Sequence, residues 1–342
     1  MACGVRKATS RPPILSEIGA AGAPSGYRLG PTTDSNPPFV TDIYQVRRST
    51  DHERVYARSP DHRVLRRLQP RKVFADSECA QPLVGIILDC ETTGLDTNQA
   101  EVIELAMIKF LYTSDGVVLR ILEEFCKLQQ PKTPISAEIT RLTGISNEIV
   151  EGRTIDPAEV DAFVADAEIV IAHNAKFDRP MVERVWDTFK SCNWACSLDQ
   201  IPWREDGFEG TRLAYLVAHL GLFYDAHRAD DDCRALLHLL GTPLGPEGQP
   251  ALATLLANAR ASTTRLYAQY APFESKDLLK SRGYRWSPGT SGSIKSWWRD
   301  LPTKDVEGEL EYLRGHIFGG RPVDLPTMRI SAVERYSSTL VE

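Results

Sequence analysis

No stretch of this 342-residue chain approaches the ~18 consecutive apolar residues of a membrane-spanning helix, so no membrane partner is expected. Its seven cysteines (Cys3, Cys79, Cys90, Cys126, Cys192, Cys196 and Cys233) are scattered and form no Cys-x-x-Cys pair. That argues against a disulfide framework or a zinc site, and for reduced thiols in the cytoplasm. The first residues, MACGVRKATSRPPILSEIGAAGAPSG, lack an unbroken apolar segment, and Glu17 interrupts the best of them. No secretory signal is expected, and a cytoplasmic location is. The chain also contains no internal repeat.

Ordinary globular composition is what remains, with 42% hydrophobic and 25% charged residues. The net charge of −6 is unevenly divided: +5 over residues 1–80, −14 over 81–250 and +3 over 251–342. An acidic centre between basic flanks suits a protein whose central charge is partly offset by bound cations and whose flanks meet phosphate. Solvated surface acids account for most of the central excess, so charge permits this reading without establishing it.

Residues 1–38 are rich in Gly, Pro, Ser and Thr without apolar periodicity and read as a disordered leader. Residues 39–80 form a basic N-terminal extension with room for one or two short helices. From Leu83 the pattern becomes regular. Three apolar strands are expected, over 83–89, 101–112 and 117–128, the last two joined by a Ser114-Asp115-Gly116 hairpin turn. Short helices follow over 137–142, after Ser146, and from Asp156-Pro157, where Asp caps and Pro takes the first helical position. A strand over 168–172, a helix through 181–186 and helices over 211–220 and 229–240 complete residues 81–245. The expected fold class is α/β, a mixed sheet flanked by helices. Residues 246–272 read as a connecting helix over 251–270, and 273–342 as a small α+β module of αββα type.

Three segments carry chemistry. In Asp89-Cys90-Glu91-Thr92-Thr93-Gly94-Leu95, side chains two apart on a strand share a face, so Asp89 and Glu91 point one way and Cys90 the other. Adjacent acids repel, and a divalent cation with oxygen ligands relieves that repulsion. In Ile169-Val-Ile-Ala-His173-Asn174-Ala-Lys-Phe177-Asp178, a strand runs into His-Asn and an acid begins the next helix. That acid can equally serve the helix dipole, and Phe177 can equally pack in a core. In His227-Arg-Ala-Asp230-Asp231-Asp232, a histidine precedes the expected helix and acids fill its first turn. A histidine can take a proton from water at neutral pH. Three acids at a helix start also have a plain reading as dipole caps.

Together these segments, with Leu142-Thr143-Gly144-Ile145 between them, resemble the DnaQ-like (DEDDh) 3′→5′ exonuclease family, which includes the epsilon proofreading subunit of DNA polymerase III and RNase T. The likeness covers about Val84 to Leu240. It implies an RNase H-like fold, metal ligands Asp89, Glu91, Asp178 and Asp232, and His227 as general base. Family spacing, five residues from the histidine, is what selects Asp232 over Asp230 and Asp231. The resemblance also implies two Mg2+ ions, with Mn2+ as substitute, and release of nucleoside monophosphates from a nucleic-acid 3′ end. Thr93, Leu95, Glu138, Thr143, Asn174 and Phe177 are the residues expected to hold the terminal nucleotide.

DNA is the favoured substrate, in proofreading or repair. An exoribonuclease of the RNase T or oligoribonuclease type is the alternative, since the motifs do not read the 2′-OH. A third reading, from a different class, is an inactive nucleic-acid-binding or assembly module. A polymerase partner is implied by the resemblance alone, and no clamp-binding peptide or polymerase-binding tail is recognisable. In the last module Tyr284, Trp286, Trp297 and Trp298 alternate with basic residues. Most of these aromatics are expected to build its core, with one Trp exposed.

Overall fold

The structure, a computed structural model, describes residues 63–76, 79–244, 248–289, 294–338 and 340. The leader over 1–38 and the first part of the basic extension over 39–80 lie outside the described residues.

Strand β1 (Leu83–Thr92) is the axis of a five-stranded mixed sheet. With β2 (Val102–Tyr112), β3 (Val118–Leu128), β4 (Ile169–Ala172) and β5 (Trp194–Cys196), the order is β3-β2-β1-β4-β5. β2 is antiparallel to both β1 and β3, whereas β4 and β5 run parallel to β1. This is the expected mixed sheet. The β2–β3 turn uses Gly116 at φ 90, and a Cβ there would stand 2.4 Å from the Ala253 Cα, so only glycine fits.

Helices cover both faces. On one lie α1 (Ala137–Thr143), near the sheet end, and α2 (Pro157–Val164) and α3 (Ala175–Glu183). On the other lie α4 (Leu213–His219), α5 (Ala229–Leu240) and α6 (Ala251–Arg260). Alternation along β1 sorts its side chains between two cores. Ile86, Leu88 and Cys90 pack with α2 and α3, and Ile87 packs with α4, α5 and α6. The same period carries Asp89 and Glu91 to the α5 side.

A second sheet follows. Its strands β6 (Thr263–Ala268), β7 (Arg285–Ser287), β8 (Ser296–Pro302) and β9 (Thr327–Ile330) are antiparallel in the order β7-β8-β6-β9. Two sequence expectations need correction here. The connecting helix over 251–270 stops at Arg260, and its last third is the central strand β6. The αββα pattern accordingly grows to four strands, with helices at Lys276–Ser281 and Val306–Tyr312. Thr-Thr-Arg-Leu-Tyr is β-branched and aromatic, which is strand composition, and Ser262 breaks the helical run before it. In this module Tyr284 and Trp298 are buried, Trp297 packs against the core, and Trp286 is half-exposed.

Residues 331–338 return to the first sheet. The Trp194 N–H donates to the Ala332 carbonyl at 2.9 Å, covering the outer edge of β5. Arg179 on α3, 1% exposed, donates to the carbonyls of Arg335 (2.7 Å) and Val333 (2.6 Å) and to Glu183 (3.1 Å). Glu183 in turn accepts from the Ser337 hydroxyl and from the Ser338 N–H. At the N-terminal side, residues 63–76 contain no helix; Arg66–Arg67 pair in parallel with Leu222–Phe223, and Arg67 forms an ion pair with Asp225 at 2.8 Å.

Candidate active site

Asp89 and Glu91 leave β1 on the face covered by α5, and Asp232 sits in the first turn of that helix. Ligand oxygens of Asp89, Glu91 and Asp232 lie within 4.8 Å of one another, the one such group among the described residues. Asp178 comes from the opposite face, in the first turn of α3. Its Oδ1 accepts from the Cys90 N–H at 3.2 Å and from the Cys90 thiol at 3.4 Å. The residue between the paired acids thus ties the fourth acid, Asp178, to the same strand end.

Electrostatics follow from this crowding. Burial, then Asp178, Asp232 and Glu91, push the Asp89 carboxyl well above the usual range. Burial, then Asp232 and Glu104, raise Glu91 to about 7. Asp178 rises to about 7 through burial, against the lowering effect of its Cys90 bonds. Asp232 is also raised by burial, and Tyr224 and the His227 amide restrain the rise. Acids this close hold their protons unless positive charge is supplied. An all-oxygen donor set of this kind fits a hard divalent cation.

Asp232 is itself fixed. The Tyr224 hydroxyl donates to its Oδ1 at 2.7 Å, and the His227 N–H to its Oδ2 at 2.9 Å. His227 is exposed and holds φ 70, a left-handed conformation unusual for a side-chain-bearing residue. The two neighbouring acids go elsewhere: Asp230 pairs with Arg234 at 2.6 Å, and Asp231 meets the same arginine at 3.4 Å. Pairing with Arg234 sets these two apart from Asp232, which joins Asp89 and Glu91.

The residues expected to hold a nucleotide divide. After β1 the Thr92 hydroxyl donates to the Gly94 carbonyl, and the Thr93 hydroxyl accepts from the Glu101 N–H. The turn so fixed leaves Leu95 87% exposed four residues after Glu91, a large apolar side chain with little to cover it. Asn174, exposed at φ 147, turns the chain from β4 into α3. Phe177 packs against the α2–α3 core. Glu138 is exposed on α1, outside the carboxylate group. Thr143 is buried, donates to the Ile139 carbonyl and accepts from the Ile145 N–H, so its hydroxyl closes the end of α1.

Sequence reading missed three participants. His173 is one: its Nε2 faces the Thr211 carbonyl at 2.7 Å and its Nδ1 the Ser197 hydroxyl at 2.8 Å. A carbonyl only accepts, so Nε2 carries the proton and Nδ1 accepts. Burial lowers its proton affinity, in keeping with a neutral ring that anchors the 197–211 segment. Tyr224 is the second, through Asp232. Glu104 is the third; an acid within the apolar run Val102–Tyr112, at a position facing α5, was the signal that could have found it.

Residues 86–240 match the exonuclease family RNase_T. Among curated relatives, DNA polymerase III PolC-type of Clostridium perfringens is 29% identical over 163 residues, 45% of this chain and 11% of that protein. DNA polymerase III PolC-type of Thermotoga maritima is 34% identical over 126 residues, 36% of this chain and 8% of that protein. The 3'-5' exonuclease DinG of Bacillus subtilis is 30% identical over 154 residues, 43% of this chain and 16% of that protein. The chain thus spans between 8% and 16% of the length of these three relatives. Strand-end acids, a capped helix carrying Asp232 and this match agree: over residues 86–240 the chain is similar to an exonuclease domain of RNase_T type, consistent with a DnaQ-like exonuclease.

Proposed function

We propose that the protein is a metal-dependent 3′→5′ exonuclease of the DEDDh type that hydrolyses phosphodiester bonds at DNA 3′ ends. The observation that carries the reading is the meeting of Asp89, Glu91 and Asp232 within 4.8 Å, with Asp178 tied to the same strand end. Asp89, Glu91, Asp178 and Asp232 would hold Mg2+, two ions per site, with Mn2+ as substitute. When bound, such ions lower the pKa of water and stabilise charge on the attacking and leaving oxygens.

The chain's own residues do the rest. His227, exposed just ahead of α5, takes the proton of the attacking water. Leu95, uncovered just after a hydrogen-bonded turn, offers an apolar face to the terminal base, and Thr93 retains a hydroxyl proton for a phosphate or sugar oxygen. Asn174, at the turn into α3, and Glu138, exposed on α1, are further contacts proposed for the terminal nucleotide. Phe177 and Thr143 serve the packing beneath them.

The test is digestion of single-stranded DNA and RNA, labelled at either end, with Mg2+ and with a chelator. Stepwise release of nucleoside monophosphates from the 3′ end of DNA, abolished by the chelator and by Asp89→Asn, is the expected outcome. Faster digestion of RNA would move the substrate to the exoribonuclease alternative. No metal-dependent cleavage of any 3′ end would leave a binding or assembly module.

A further inference from the structure

Glu104 stands on β2 directly opposite Glu91 on β1 and is 1% exposed, yet it is not one of the clustered acids. Both of its oxygens are engaged. Oε1 accepts from Arg228 Nη2 at 2.7 Å and from the Cys126 thiol at 3.7 Å, and Oε2 from Arg228 Nε at 3.2 Å and the Ala229 N–H at 3.0 Å. The residue at the start of α5, Arg228, has no side-chain capping bond of its own. Glu104 therefore caps α5 from another element, with its negative charge at the positive end of the helix dipole.

The segment it holds is the one that matters for the reaction. His227 adopts φ 70, and a strained non-glycine backbone persists only where its surroundings over-determine it. On its amino side the His227 N–H is held by Asp232. On its carboxyl side the next two residues are both held by Glu104. Remove the second hold and His227 can relax toward an ordinary backbone while Asp232, inside the helix, keeps its place.

We propose that Glu104 is a positioning residue of the exonuclease reaction, which clamps Arg228 and Ala229 so that His227 faces the attacking water. The proposal rests on the exonuclease reading with His227 as proton acceptor. It assigns Glu104 no ligand role, because its oxygens are already taken, and no contact with substrate.

The experiment is steady-state kinetics of the full chain with Mg2+ on a 3′-ended single-stranded DNA and on a chromogenic nucleoside monophosphate ester. Variants are Glu104→Gln, Arg228→Ala, His227→Ala and the double variant of Glu104→Gln with His227→Ala. Glu104→Gln is expected to lower kcat about 10- to 100-fold with KM changed less than about threefold, as for a misplaced but present base. In the His227→Ala background the same change should alter the rate less than about threefold, because two residues acting as one unit are not additive. A merely structural role would add its loss in both backgrounds. Should Glu104→Gln fail to fold, Arg228→Ala, whose side chain is 45% exposed, carries the same comparison. A kcat within threefold of wild type, or losses that multiply with His227→Ala, overturns the proposal while leaving the exonuclease reading intact. A wild type that cleaves neither substrate overturns both.

Discussion

At the residue scale the clustered acids set stability against activity. Asp89 is pushed up by burial and by Asp178, Asp232 and Glu91, so its charge is a strain on the folded chain. Asp89→Asn removes that charge and keeps the shape. With Asp89 as the proposed metal ligand, activity is expected to fall at least about 100-fold, since losing such a ligand forfeits several kcal/mol of charge stabilisation at about 1.4 kcal/mol per tenfold. Without metal the same variant is expected to melt about 2–4 °C higher, the scale of a 1 kcal/mol gain. Differential scanning calorimetry in a chelator checks the second sign; a lower melting point would show that the acids are not in repulsion.

The same crowding fixes a pH dependence. Glu91 and Asp178 hold folded-state values of about 7, raised from ordinary values of 4.5 and 3.8. A raised carboxyl contributes stability that is complete below its unfolded value and is lost as pH climbs through the folded one. The metal-free protein should therefore lose stability between about pH 4 and pH 7, and added Mg2+ should restore more of it as pH rises. Melting curves in chelator and in Mg2+ across that window measure both. A flat profile in chelator, or an identical slope for Glu91→Gln, would contradict the assignment.

At the scale of elements, the strand bearing Asp89 and Glu91 was legible because period-two alternation is short-range and its apolar run is unambiguous. The start of α5 was legible from its apolar spacing after Ala229. Strand β5 was not: Trp194–Cys196 is three residues long, and only its neighbours β4 and residues 331–338 make it a strand. Strand β6 was hidden behind α6, because no glycine or proline separates the helix from the strand. Glu104 was hidden for a different reason, since what it holds lies 124 residues away in sequence.

The contact between α3 and residues 331–338 makes its own prediction. Arg179 and Glu183 form a buried pair whose further hydrogen bonds go to Val333, Arg335, Ser337 and Ser338. Arg179→Ala strands the Glu183 carboxylate and two carbonyls in a dry environment, which costs about 3–5 kcal/mol. Urea denaturation should show a lowered midpoint, and hydrogen exchange should show loss of protection at the Trp194 amide. A midpoint equal to wild type would mean that the returning segment is not held through this pair.

For the molecule as a whole, the two sheets raise the question of how far they fold independently. The second sheet has its own core, built on Leu266, Leu279, Leu301 and Leu313. Against independence stands the returning segment: Ala332 covers β5, the Arg335 guanidinium donates to the Ala259 carbonyl at the end of α6, and Glu183 receives Ser338. A chain ending before residue 331 would leave a sheet edge open and an Arg–Glu pair without its partners, conditions that favour edge-to-edge association. The described fold should therefore unfold as one cooperative unit, with calorimetric and van't Hoff enthalpies equal. Two resolved endotherms, or a soluble monomer truncated after residue 262 with unchanged melting and nuclease activity, would show that the first sheet stands alone. If the single transition holds, mutations in the second sheet that touch no substrate should lower nuclease activity on heating in step with global unfolding, and in no other way.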